Sequence, residues 1–166
     1  MLKHRVWAVL SSTLLAFAVP VAAEEDSHHH DHATMDHAAM MATQDHRQLA
    51  PFPADLAEHT RANMRDHLLA IQEITDALAN GKYELAADTA EKRLGMSSLP
   101  LHGAHDVAPY MPPLMAQIGT DMHRAASEFA VSAQNVGVTG DLQPALSALA
   151  KLQSQCVACH AGFRLK

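Results

Sequence analysis

From Ala54 onward, apolar side chains recur every three or four residues, the spacing of one face of an α-helix. Met64, Leu68, Ile71, Ile74 and Leu78 predict a first helix over 54–80, stopped by Gly81. An Ala-rich stretch over 83–94, ended by Gly95, predicts a second. A looser connection follows, punctuated by Pro100, Gly103, Pro109, Pro112 and Pro113. Leu114, Ile118, Met122, Ala125, Phe129 and Val136 mark a third helix over 114–136, with Gly137 and Gly140 expected to break it. Asp141 is a candidate N-cap for a fourth, in which Pro144 falls at the third position, where its missing N–H costs little. Leu142, Leu146, Leu149, Cys156 and Phe163 continue that stripe to the C-terminus. Each stripe must be buried against another, so the pattern predicts an all-α fold, a four-helix bundle over 52–166, without strands or repeats.

The N-terminal third follows a different pattern. Lys3 and Arg5 precede an almost uncharged apolar stretch over 6–21, and Val21-Ala22-Ala23 is followed at once by Glu24, Glu25 and Asp26. This is the layout of a secretory signal peptide, residues 1–23, cleaved after Ala23. The stretch falls short of the ~20 apolar residues of a retained anchor. The expected product is exported to the periplasm, with no membrane span after cleavage. Residues 24–51 then form a tail carrying His28, His29, His30, His32, His37 and His46 with Met35, Met40 and Met41, among six carboxylates. With so few large apolar groups it is expected to be disordered. Imidazole and thioether suit copper, which makes these nine side chains candidate copper ligands; the alternative is a solvated acidic linker.

Composition sharpens this reading. Apolar residues make up 48% of the 166, aromatics only 4%, and the formal charge of −6 lacks the basic footprint of a nucleic-acid binder. The 13 His and 9 Met are the unusual entries, and two Cys cannot make a disulfide framework.

Those two cysteines stand in Cys156-Val157-Ala158-Cys159-His160, a C-x-x-C-H pattern. On a helix, positions i and i+3 share a face, so both thiols can bond vinyl carbons of one haem, and His160 at i+4 can reach the iron as proximal ligand. The competing readings are a dithiol redox pair, which belongs at a helix N-terminus in a βαβ context, and a zinc site, which lacks a fourth ligand here. The motif predicts one covalent haem c per chain.

Cys156 to Arg164, reading CVACHAGFR, resembles the C-terminal haem helix of class II c-type cytochromes, the cytochrome c prime family. The resemblance covers about residues 52 to 166 and implies a four-helix bundle with haem near its C-terminus. Arg61-Ala62-Asn63-Met64 is similar to the Arg-x-x-Met segment of the family's low-spin members, which implies Met64 as distal iron ligand. An open sixth position, ligation by His67, and a plain core role for Met64 remain alternatives. The resemblance also implies a place for Arg164 beside the haem and a homodimer through the first two helices. Phe163 is expected to pack on the porphyrin or the core, Met115 and Met122 to pack, and His59 to line the pocket edge. His102, His105 and His123 receive no role.

These readings converge on an exported monohaem c-type cytochrome that moves single electrons to a redox protein partner and turns over no substrate. The alternatives are a five-coordinate haem protein that binds nitric oxide or carbon monoxide, and a copper-handling protein that works through its His/Met tail.

Overall fold

A computed structural model describes residues 45–166; the expected signal peptide, and the expected tail ligands from His28 to Met41, lie outside the described residues. The described chain is mostly helical. Its long helices are α1 (Ala54–Ala79), α2 (Tyr83–Arg93), α4 (Pro113–Thr139) and α5 (Gln143–Gly162), with a short α3 (Ala104–Val107) between α2 and α4. Single 3₁₀ turns at Met96–Ser98 and Ala108–Tyr110 flank α3. No helix among the described residues is long and apolar enough to cross a membrane.

At the C-terminus α5 ends at Gly162, and Phe163, expected on its stripe, lies in a short strand; the other expected helix limits hold to within a residue or two, except around Gly137. That glycine stays helical, and α4 runs on to Thr139, where Gly140 ends it at φ +72° with its N–H donated to the Val136 carbonyl. The left-handed conformation, open to glycine without a Cβ clash, is what stops the helix. The N-cap of α5 is Leu142 rather than Asp141, so Pro144 falls at the second helical position and not the third; Asp141, one residue earlier, still accepts the Gln143 N–H on its Oδ1 at 3.0 Å.

Helices α2, α4 and α5 pack in succession, and α1 lies on α2, but α1 and α5 have no extensive contact with each other. The main core fills one end of this arrangement. Ile74, Ala77 and Leu78 from the second half of α1 meet Ala86, Ala87 and Ala90 of α2, Phe129, Ala133 and Val136 of α4, and Ala145, Leu149 and Leu152 of α5. Alanines let the helix axes approach closely, and Phe129, fully buried, fills the space they leave. Arg93 ties α2 to α1 through ion pairs with Asp66 (2.5 Å) and Glu73.

Two corrections to the sequence pattern bear on the other end. Residues 45–51, assigned to the tail, lie within the folded unit: β1 (Gln48–Leu49) pairs in parallel with β2 (Phe163–Arg164), and Ala50 is buried beside Phe52, Ala57 and Val107. A strand of two residues has no periodicity to betray it. Leu68 and Leu114, placed on buried stripes by their spacing, are 74% and 61% exposed.

Candidate functional site

Where α1 and α5 separate, the protein encloses a cavity of about 810 Å³, inside the ~300–1,000 Å³ range of small-molecule and cofactor sites. Its walls come from the first half of α1, the 94–104 connection, the first half of α4 and the last turns of α5. Most of the lining is apolar, including Met64, Ile71, Met111, Met115, Ile118 and Leu152. Leu68 and Val157 line it and are mainly exposed, so one edge opens to solvent.

Cys156, Cys159 and His160 all line this cavity from α5. Both thiols are free and half-buried, and burial pushes both of them above the usual thiol range. His160 is exposed, and its backbone carbonyl accepts a bond from Arg47 at 3.5 Å. The raised thiols disfavour a low-pKa redox dithiol, whose chemistry needs stabilised thiolate.

Met64 lines the same cavity from α1, half-buried. The sequence pair Met64 and His67 is therefore brought to the cavity that holds the C-x-x-C-H side chains. Phe163 is buried and Arg164 half-buried at the same cavity. Arg164 Nε is buried without a hydrogen-bond partner, its nearest carboxylate oxygen being Asp45 Oδ2 at 3.6 Å. Met115 and Met122, expected only to pack, also face the cavity, and Met122 belongs to the core as well. His59 does not line it; its ring lies against Gly103, where an added Cβ would fall 3.2 Å from Nε2. Of the tail candidates only His46 lies within the described residues, and it is exposed.

Sequence reasoning missed a histidine cluster. His67 on α1, His102 in the connection and His123 on α4 meet at the cavity wall, with ring centres 4.6 Å (67–102), 5.2 Å (102–123) and 6.4 Å (67–123) apart. His67 Nε2 lies 3.2 Å from His102 Nε2, and His123 Nδ1 donates to the Leu94 carbonyl at 2.7 Å. Burial, reinforced by the neighbouring imidazoles, holds His67 down at about 4, and burial lowers His102 and His123 as well. All three rings are thus neutral at pH 7. A signal existed for two of them: His67 falls three residues after Met64, and His123 directly follows Met122 of the α4 stripe. His102 sits among loop residues whose spacing carries no information.

No family model matches the chain, and it has no match among curated proteins or among solved structures.

Proposed function

We propose that the protein is an exported, periplasmic monohaem c-type cytochrome, a four-helix bundle similar to the cytochrome c prime family, that carries single electrons. The observation that carries the reading is the convergence of Cys156, Cys159 and His160 on one mainly apolar cavity, faced by Met64 from α1. Three further features fit a haem. The cavity lies where the two outer helices stay apart, which suits a flat apolar group. Free, half-buried thiols are the form that would add to vinyl groups. Arg164, with its orphaned buried Nε, offers a partner for a carboxylate at the cavity edge.

In this reading Cys156 and Cys159 would hold the haem by thioether bonds, and His160 from α5 and Met64 from α1 would ligate its iron. The haem, when bound, supplies a one-electron ferrous–ferric couple. The chain's own part is to exclude water with Ile71, Ile118 and Leu152, and to favour the reduced iron through a thioether ligand. Leu68 and Val157, at the exposed edge, would mark where a redox partner approaches. No proton or group transfer is needed.

The test is expression in a host with haem-attachment machinery. The purified chain should keep its colour through acid-acetone extraction and denaturing electrophoresis, and Cys156→Ala with Cys159→Ala should abolish this. Loss of all colour from the wild-type chain on extraction would overturn the reading. A low-spin ferric spectrum supports the electron carrier; a high-spin one transfers the assignment to a gas-binding haem protein with an open sixth position.

A further inference from the structure

Three imidazoles gathered on an apolar cavity wall need a reason, because buried polar groups destabilise a fold unless they are bonded. Their hydrogen bonds fix the direction of two lone pairs. The Leu94 carbonyl can only accept, so His123 carries its proton on Nδ1 and presents a bare Nε2. Ser98 Oγ gives its single proton to the Gly95 carbonyl at 2.7 Å, so toward His102 Nδ1, 3.5 Å away, it can only accept. A proton on His102 Nδ1 would meet that oxygen and leave Nε2 bare. An Nδ1–H held by an oxygen behind the ring is the arrangement that orients histidine ligands of metal ions. His67 Nε2–H fills the gap by donating to His102 Nε2.

We infer that His67, His102 and His123 bind one divalent transition-metal ion of the zinc class, at a site separate from Cys156, Cys159 and His160. Two nitrogens on one ion at 2.0–2.1 Å and a near-tetrahedral angle lie about 3.3–3.4 Å apart. His67 Nε2 and His102 Nε2 are 3.2 Å apart. The same geometry spaces ring centres at about 5.2 Å, against 4.6, 5.2 and 6.4 Å for the three pairs. As the side chains stand, no three His, Cys, Asp or Glu groups among the described residues are gathered for a metal. The long edge between His67 and His123 must close by about 1 Å, and His67 must move its proton from Nε2 to Nδ1. His67 is the one ring of the three with no oxygen fixing its tautomer, so it can make that exchange. Asp66, adjacent to His67, and Arg93, which pairs with Asp66, leave the local charge nearly balanced before the ion enters. The inference does not depend on the cytochrome reading.

The test uses the full exported chain with His28, His29, His30, His32, His37 and His46 replaced by Asn, so that tail binding does not mask the site. Titration with Zn²⁺, with bound metal counted by elemental analysis, should give one ion per chain beyond any haem iron, and Co²⁺ should compete for the same site. His67→Ala or His102→Ala should each weaken uptake at least about 100-fold, and Ser98→Ala, which removes no ligand, about 10-fold. Helical circular dichroism checks that each variant is folded. For any variant that is not, the parent chain decides: Zn²⁺ should protect His67 and His102 from acylation by diethyl pyrocarbonate. Absence of one-ion uptake, uptake unchanged in folded His67→Ala and His102→Ala, or acylation of both rings unaffected by Zn²⁺ would overturn the inference.

Discussion

Acid should destabilise this fold through His67 before it reaches the carboxylates. The ring's proton affinity falls from the usual 6.5 to about 4 on folding, first because it is buried and then because His102 and His123 face it. Asp66, which favours the proton, and Arg93, which opposes it, are the other charged groups acting on it. Between pH 6.5 and 4 the unfolded chain therefore holds a proton that the folded chain refuses. Stability is fully present above pH 6.5 and is lost progressively as pH falls through that window. Each tenfold difference in proton affinity is worth about 1.4 kcal/mol, which over this interval sets a ceiling of about 3.5 kcal/mol. Partial solvent contact and sharing of protons among the three rings reduce the expected loss to about 2 kcal/mol. The assay is urea unfolding of the EDTA-treated protein at pH 7.0 and 4.5, alongside His67→Leu. Asp66, held low by its bond to Arg93, stays ionised throughout and cancels in the comparison. The wild type should lose about 2 kcal/mol more than the variant. Equal losses in the two proteins would refute the argument that His67 is kept neutral by the fold.

With haem bound as proposed, Met64→Ala should convert a low-spin ferric spectrum to high-spin and lower the midpoint potential, read by absorption and redox titration. Because Met64 is only half-buried, the stability cost should stay at or below about 2 kcal/mol. Ile74→Ala and Leu68→Ala, one stripe in sequence, should differ sharply in urea unfolding. The first removes a fully buried side chain and costs about 2–5 kcal/mol; the second changes a mainly exposed one and stays within about 0.5 kcal/mol. Deleting residues 24–44, and not 45–50, which pair and pack with the fold, should remove most copper uptake measured by titration. That uptake should weaken from pH 7.5 to 5.5 as the imidazoles of the intact tail protonate.

The long helices were legible because each carries several turns of spacing that no other structure satisfies. Gly137 misled because glycine costs a helix only about 1 kcal/mol, which the flanking buried Ala133 and Val136 offset; Gly140 stops α4 because there the backbone does turn left-handed. Leu68 misled for a different reason. Its face of α1 is turned to the cavity rather than to another helix, and periodicity records which residues share a face but not what lies opposite. That Cys156, Cys159 and His160 line one cavity from one helix was legible, because their spacing alone places them on one face. The His67, His102 and His123 cluster was not, since its members come from three elements and meet only when the chain has folded.

The cavity is a built feature, because the two ends of the molecule are assembled from different materials. Toward the C-terminus of α1 and the N-terminus of α5, buried alanines let the helices close on Phe129. Toward the other end the residues facing inward are methionines, leucines and imidazoles, long enough to line a space without crossing it. That end is then tied shut around the space. β1 pairs with β2, Ala50 N–H donates to the Arg164 carbonyl at 2.9 Å, and Arg61 reaches the Lys166 carbonyl. The segment entering α1 and the segment leaving α5 are thereby joined to each other, while the helices they belong to stay apart. These ties hold the two segments together at one end of the cavity, whose lining is mostly apolar. Burial of apolar surface is the largest favourable contribution available to such a fold. An occupant fastened from α5 and reached from α1 would supply the packing that these two helices do not give each other.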